Sequence, residues 1–386
     1  MPVKLHYNFK DVFRAARFGL SIKKIWIMFL GILIGSIFYS IFTYIAGVLS
    51  GYTFKELWDQ YHLLPILGFG EIYSWAKIIY IIGILIFAFF IFIFGTAVSK
   101  VHFEQLKGDE FYEIKGALKF AFTKGLSSFF APISILLIVG LILLSGVIYG
   151  AINKIPYFGE IFFIIFVIPA FFVCLFIVYL LVSFLVSLFI SPSIVGTTSN
   201  DTFDTLFEIF STLNEQPWRL FVYEILLFFT MFVAGSIFTF FVGKAIGIGI
   251  WVLSAKWLMG EKFLNILNNA WAFLPSYPFL ANISSYFKFL GIEEIVMIPS
   301  FLKLSGFHAA ISYILGFIGY LLIFMVLAYY LSMFYSGNNL IFIILYKKKD
   351  EIDLLAPEEE EEEIEEEKKE EEKKEEEKVV EEEKKE

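Results

Sequence analysis

The chain has 386 residues, a mean hydropathy of +0.75, and 58% hydrophobic against 18% charged residues. A soluble domain carries about 45–50% apolar and about 25% charged residues, so this balance excludes an ordinary water-soluble globule and predicts an all-α, polytopic helical membrane protein. The formal charge of −9 belongs to one tail: residues 358–386 hold 19 Glu and 7 Lys, and the remainder holds 23 basic and 20 acidic residues. The body is therefore slightly basic, and nucleic acid is not an expected partner.

Residues 1–24 begin with the first of three short amphipathic segments, Phe9-Lys-Asp-Val-Phe13, with Phe9, Val12, Phe13 and Ala16 on one face. The apolar run Ile25–Phe54 then has no Asp, Glu, Lys or Arg for 30 residues. That is too long for a signal-peptide core, and no small-residue cleavage site closes it, so it reads as a retained first span. A helix crosses the hydrocarbon core with about 20 apolar residues. Six spans are expected, near 25–49, 77–99, 132–152, 160–190, 218–248 and 308–335, within a membrane domain of residues 25–346.

The second amphipathic segment, Leu118-Lys-Phe-Ala-Phe122, precedes Pro132; the third, Phe203-Asp-Thr-Leu-Phe207, precedes Pro217. Both pairs are offset by 85 residues. An internal triplication and convergent amphipathic helices both remain open. In the third segment Phe203, Leu206, Phe207, Phe210 and Leu213 share one face, and Asp204, Glu208, Ser211, Thr212 and Glu215 the other. Asn200 or Asp201 caps it. Pro217 stops it or opens the next helix, and Trp218-Arg219 suits a membrane interface. Such helices lie in the headgroup plane or pack against the bundle. The first two are basic and suit anionic lipid; the third is acidic and suits docking on protein.

Ile161–Asn200 is uncharged for 40 residues and contains Pro169. It reads as a kinked or tilted helix, or as two half-helices. Leu304–Tyr346 is uncharged apart from His308, and Ser336-Gly-Asn-Asn339 punctuates it; the last helix either continues there or breaks. Between these lies an external loop, 251–304, with a helix-like piece at Glu261–Phe273 that covers the outer leaflet, caps the bundle or serves as a lid. Lys and Arg cluster before the first span, after the second and after the last. The positive-inside rule then puts both termini in the cytoplasm of a cytoplasmic-membrane protein. The tail from 347, of low complexity from 358, is a solvated helix or disordered; it is the expected contact for a membrane or cytoplasmic protein partner. Lipid is the other expected partner.

The segment from Asn200-Asp-Thr-Phe-Asp204 to Gln216-Pro-Trp-Arg219 resembles a motif of uncharacterised multi-pass bacterial inner-membrane proteins. Ile155-Pro-Tyr-Phe-Gly159 and Tyr346-Lys-Lys-Lys-Asp350 are similar to their middle turn and closing segment. A remoter likeness is to the membrane domain attached to some bacterial glycerophosphodiester phosphodiesterases, whose soluble catalytic domain has no room here. The resemblance implies a fold and a location, with no activity.

No nucleotide loop, zinc-protease, Cys-x-x-Cys or nucleophile-elbow motif occurs. Cys174 is the only cysteine, so no internal disulfide forms, and it reads as a small core or lipid-facing residue. None of His6, His62, His102 and His308 has a second histidine at ligand spacing. No metal, cofactor or enzyme activity is expected. The candidate functional residues are Asp201, Asp204, Glu208, Pro217, Trp218, Arg219 and Glu224. Glu224, inside the fifth span, is either a structural carboxyl or a proton or cation site beside Arg219 or Asp204. Lys244 reads as snorkelling. Gly31-x-x-x-Gly35, Gly146-x-x-x-Gly150 and Gly243-x-x-x-Gly247 allow close helix contact. Two functions follow: a non-enzymatic envelope assembly, scaffolding or lipid-associated role, or a transporter or channel using Glu224 and the Pro169 region.

Overall fold

In the computed structural model the described residues are 3–68, 70, 72–273, 304 and 306–356. They are almost wholly helical, without strands. Among the described residues six helices are long and apolar enough to cross a membrane, so the chain is a multi-pass α-helical membrane protein. The spans are α3 (Ile22–Leu49), α5 (Ala76–Lys107), α7 (Leu126–Ile152), α8 (Phe158–Thr198), α10 (Pro217–Leu253) and α12 (Gly306–Asp350). Short helices connect them. At one end, here the near end, lie α1 (Phe9–Val12), α2 (Ala15–Gly19), α6 (Ile114–Lys124) and α9 (Thr202–Glu215). At the far end lie α4 (Phe54–Tyr61) and α11 (Glu261–Ala272). The expectations for the loop at 274–303 and for the acidic tail from 357 fall outside the described residues.

Both long uncharged runs form single helices. α8 continues through Pro169 and Pro192, and α12 continues through Ser336–Asn339. At 1.5 Å per residue they are about 61 and 67 Å long, twice the roughly 30 Å hydrocarbon core. The surplus lies at the near end, where Leu340–Leu345 of α12 are completely enclosed. This is why the sequence-predicted spans stop short: apolar residues continue because protein, rather than lipid, covers them.

α3 and α5 form a close antiparallel pair. A Cβ on Gly31 would lie 2.7 Å from Phe94 Cβ, so only glycine permits the approach. Ring pairs continue the seam, Phe38 on Phe90 at 5.5 Å and Tyr39 on Phe87 at 6.2 Å. α12 packs against this pair and against α10, where Leu227 fills the space beside Gly337. α11 packs on the far half of α12, with Phe263, Ile266 and Leu267 buried.

The α7–α8 hairpin behaves differently. Its near half joins the bundle through Ala131, Ile135 and Val139 and through Ile190–Thr197. Its far half is exposed all round: five consecutive residues, Ile164 to Ile168, are 41–70% exposed. Successive residues point 100° apart on a helix, so such a run leaves only the strip against α7 covered. Cys174 lies on this arm and is exposed, matching its lipid-facing reading.

The three amphipathic segments do not share one environment. The first packs into the bundle with part of its expected apolar face, leaving Phe9 and Phe13 48% and 41% exposed. α1 and α2 wedge between α10 and α12, with Val12, Ala15 and Phe18 buried. Ser332 Oγ donates to Gly19 O at 2.8 Å, and Asp11 is fully buried, accepting from His6 N–H at 2.7 Å and pairing with Arg14 at 3.2 Å. The second, α6, lies along α5 and α7 and buries only Ala117 and Ala121. The third, α9, docks on α7 and α8 as its acidity suggested, with a different face. Thr205, Leu206, Ile209, Thr212 and Leu213 are buried, whereas Phe203 and Phe207 are 72% and 69% exposed. Thr212, expected on the polar face, packs inward because α9 docks through side chains smaller than its two leading Phe.

Candidate functional site

The candidate residues of the third segment spread over two places. Asp201 caps α9, accepting from Asp204 N–H at 2.9 Å, and Pro217 opens α10 at its first turn. Trp218 and Arg219 are exposed, and Arg219 donates to Gln216 at 2.6 Å. Glu208 faces a cleft of about 550 Å³ between α9 and the end of α12, shared with Asp204, Lys349 and Asp350. Lys349, almost fully buried, pairs with Glu208 at 2.7 Å and with Asp350 at 3.2 Å.

Glu224 stands apart. It lies on the inner face of α10 with Leu220, Tyr223 and Leu227, is 6% exposed, and neither carboxylate oxygen has a hydrogen-bond partner. Neither Arg219 nor Asp204 reaches it. It lines neither the acidic cleft nor a second cavity described below.

Residues that sequence pattern does not single out form the polar centre of the molecule. Ser336-Gly-Asn-Asn339, read as punctuation, is one turn of α12 on which four neighbouring helices converge. Ser336 faces α3: Lys24, wholly buried, places Nζ 3.5 Å from Ser336 Oγ and donates to Phe18 O at 3.0 Å. Gly337 faces Leu227 of α10. Asn339 faces both α5 and α8, through His102 and Thr197.

The direction of this network is determined. Thr197 Oγ donates to Ser193 O at 2.7 Å, so it can only accept from Asn339, whose Nδ2 donates to it at 2.7 Å. That places Asn339 Oδ1 toward His102 Nδ1 at 3.0 Å. An amide oxygen only accepts, so His102 carries its proton on Nδ1. Its Nε2 is a buried acceptor without a partner. The Phe18 ring sits between the two basic groups, 5.0 Å from the His102 ring and 5.6 Å from Lys24 Nζ. Among the described residues no carboxylate pairs with Lys24. Hydroxyls extend the centre: Ser99 Oγ meets Ser193 Oγ at 3.5 Å, and Thr96 Oγ meets Ser128 Oγ at 2.9 Å.

A clasp closes the near end. Tyr7 donates to Asp353 Oδ1 at 2.5 Å, Lys347 Nζ donates to Oδ2 at 2.6 Å, and Leu355 N–H adds a bond of 3.1 Å. The Lys347 ammonium lies 3.7 Å from the centre of the Tyr7 ring. Burial would raise the Asp353 carboxyl, but the donors from Lys347, Tyr7 and Leu355 outweigh it and hold the group below its usual range. Burial and the bond to Asp353 push the Tyr7 hydroxyl well up.

Among the described residues no cluster of His, Cys, Asp and Glu could hold a metal ion. Compared with protein-family models, curated proteins and solved structures, the chain matches none.

Proposed function

We propose that this multi-pass protein is a non-enzymatic scaffold of the cytoplasmic membrane, acting in envelope assembly through partners that dock on the α7–α8 arm, with both termini cytoplasmic. One observation carries the reading. The near half of the molecule is locked by polar contacts, while the far half of the arm offers apolar side chains on nearly every side. A Cβ added at Gly140, Gly146 or Gly150 would meet nothing within 4 Å, whereas Gly31 is already filled by Phe94. Small residues of this kind let a second transmembrane helix approach closely.

The test is a photoreactive amino acid placed at Val147 or Ile168 of the arm, and at Phe241 of α10 as an equally exposed control, in native membranes. A discrete protein adduct from the arm positions alone supports the reading. The same lipid-only labelling at all three positions removes it.

A second reading, a proton- or cation-coupled transporter, is favoured by Glu224. An ionisable group deep in a membrane protein with both oxygens unbonded is a functional candidate by default. α8 is unbroken at Pro169, so this reading rests on Glu224 alone. Flux driven by a pH gradient in proteoliposomes should fall in Glu224→Gln; unchanged flux removes the site.

A further inference from the structure

A groove of about 630 Å³ runs along the far two-thirds of α3, between α3, α4 and α12. Its volume lies within the roughly 300–1,000 Å³ of small-molecule sites. Ile37, Ile41 and Ile45 line one wall, Phe317 and Leu321 the other, and Trp58 of α4 closes the far end. A capping box between Thr53 and Glu56 starts α4, and its buried Leu57 packs beside Gly47 of α3. From Leu33 to Leu49 the groove follows α3 for about 24 Å.

Two arguments identify the occupant. The first is chemical. The hydroxyls that reach the groove are mostly committed to protein carbonyls: Ser40 donates to Leu63 O at 2.7 Å, Tyr44 to His62 O, and Tyr320 to Phe273 O at 3.5 Å. A polar solute would lose its own hydrogen bonds on entering and find few in return. The second is geometric. Spread over its length, the volume open to atom centres has a mean cross-section of about 26 Å²; with about 1.4 Å added on each side the groove is roughly 8–9 Å wide, narrower than the 10–12 Å of a helix with its side chains. The groove opens sideways from membrane-spanning helices, where the surrounding medium is hydrocarbon.

We infer that this groove is a binding site for one acyl chain of a bilayer lipid, which enters laterally and rests its headgroup near α4. Trp58 then stands at the level where tryptophan is favoured, between hydrocarbon and water. The groove shares no residue with the α7–α8 arm, so loss of arm crosslinking and loss of lipid labelling are separate outcomes.

The test uses the full chain in phosphatidylcholine vesicles that contain a phosphatidylcholine with a diazirine on one acyl chain. After photolysis, adducts are mapped by mass spectrometry. Residues 33–64 and 317–324 should be labelled several-fold more than residues 164–172 of α8, which are as apolar and exposed but line no groove. Ile41→Trp, at a half-exposed position, should bring groove labelling down to the α8 level; Leu321→Trp does the same from the opposite wall should the first variant fail to fold. Equal labelling of groove and α8, or labelling indifferent to a folded filling variant, overturns the assignment.

Discussion

Asn339→Leu removes the amide that joins three helices while keeping a side chain of similar size. Two hydrogen bonds go, the one from His102 Nδ1 at 3.0 Å and the one to Thr197 Oγ at 2.7 Å. In soluble proteins a buried group left without a partner costs about 1–3 kcal/mol, and His102 is the group so left. Hydrogen bonds between membrane helices average about 0.6 kcal/mol and reach about 1.7, which gives about 1–3 for the pair. Thr197 keeps its bond to Ser193 O, while His102 would lose its only partner and have both ring nitrogens unpaired. The middle of the two ranges, about 2 kcal/mol, is the expected loss. At about 2 °C per kcal/mol for a large chain, the melting midpoint should fall by about 4 °C, read by intrinsic fluorescence of the purified protein in nanodiscs. A cycle with His102→Leu isolates the bond. The double variant should lose less than the sum of the singles, because the second change removes the group that the first one stranded. Additivity within about 0.3–0.5 kcal/mol would falsify the claim that this bond carries energy.

Three further outcomes follow from the same geometry. Gly196→Val should destabilise strongly, because a Cβ there would lie 2.6 Å from Ser99 Cβ, whereas Gly146→Val should leave the monomer's midpoint unchanged; equal effects would contradict the difference in packing. The clasp should loosen in acid. Asp353 is held below its usual range, so its contribution is present above the ordinary carboxylate pKa of about 3.9 and is lost as pH falls through the depressed value. Asp353→Asn should imitate that loss at neutral pH, and faster protease cleavage before Phe9 in both cases is the readout. Glu224→Leu should raise the midpoint, since an unpaired buried polar group costs about 1–3 kcal/mol; a fall would show that the carboxyl has a partner.

The six spans were legible because each rests on a long run without charge, and length alone decides whether such a run can cross hydrocarbon. The end of each span was less legible. Apolar residues beyond 190 and 335 continue for a different reason, burial in protein, and hydropathy does not separate the two. Amphipathicity showed that each short segment has an apolar face but not what covers it. In the first segment α10 and α12 cover Val12 but leave Phe9 and Phe13 nearly half exposed; among the described residues Phe203 and Phe207 stay largely uncovered. Asp201 and Pro217 were readable as cap and helix start because those roles need only local sequence. The polar centre was not, because its partners lie 142 and 237 residues apart along the chain. Lys24 read as one more cation of a basic cluster, and His102 as a lone histidine. The available signal was compositional: Ser191–Asn200 and Ser332–Asn339 are rich in small polar residues within otherwise apolar runs.

That composition bears on why the near end of the molecule is locked and the far half of the α7–α8 arm is not. In hydrocarbon, lipid tails are as apolar as Leu or Phe, so apolar contacts between helices distinguish weakly between one rotation of a helix and the next. Directed hydrogen bonds do distinguish. The relay from His102 through Asn339 and Thr197 to Ser193 runs in one sense only, and a 100° rotation of α12 would take Asn339 away from both partners. α5, α8 and α12 are therefore fixed at the level of that turn. α12 keeps its hold on α5, α10 and α11 through glycine-permitted contacts at Gly95, Gly235 and Gly316. α8 has no such contact in its far half. Its far-half glycine, Gly159, meets only Asn153 in the turn from α7. Past Leu180, the last buried residue of its bundle face, and Tyr179, which donates to Asn214 of α9 at 3.0 Å, α8 is largely exposed, with α7 packed alongside it.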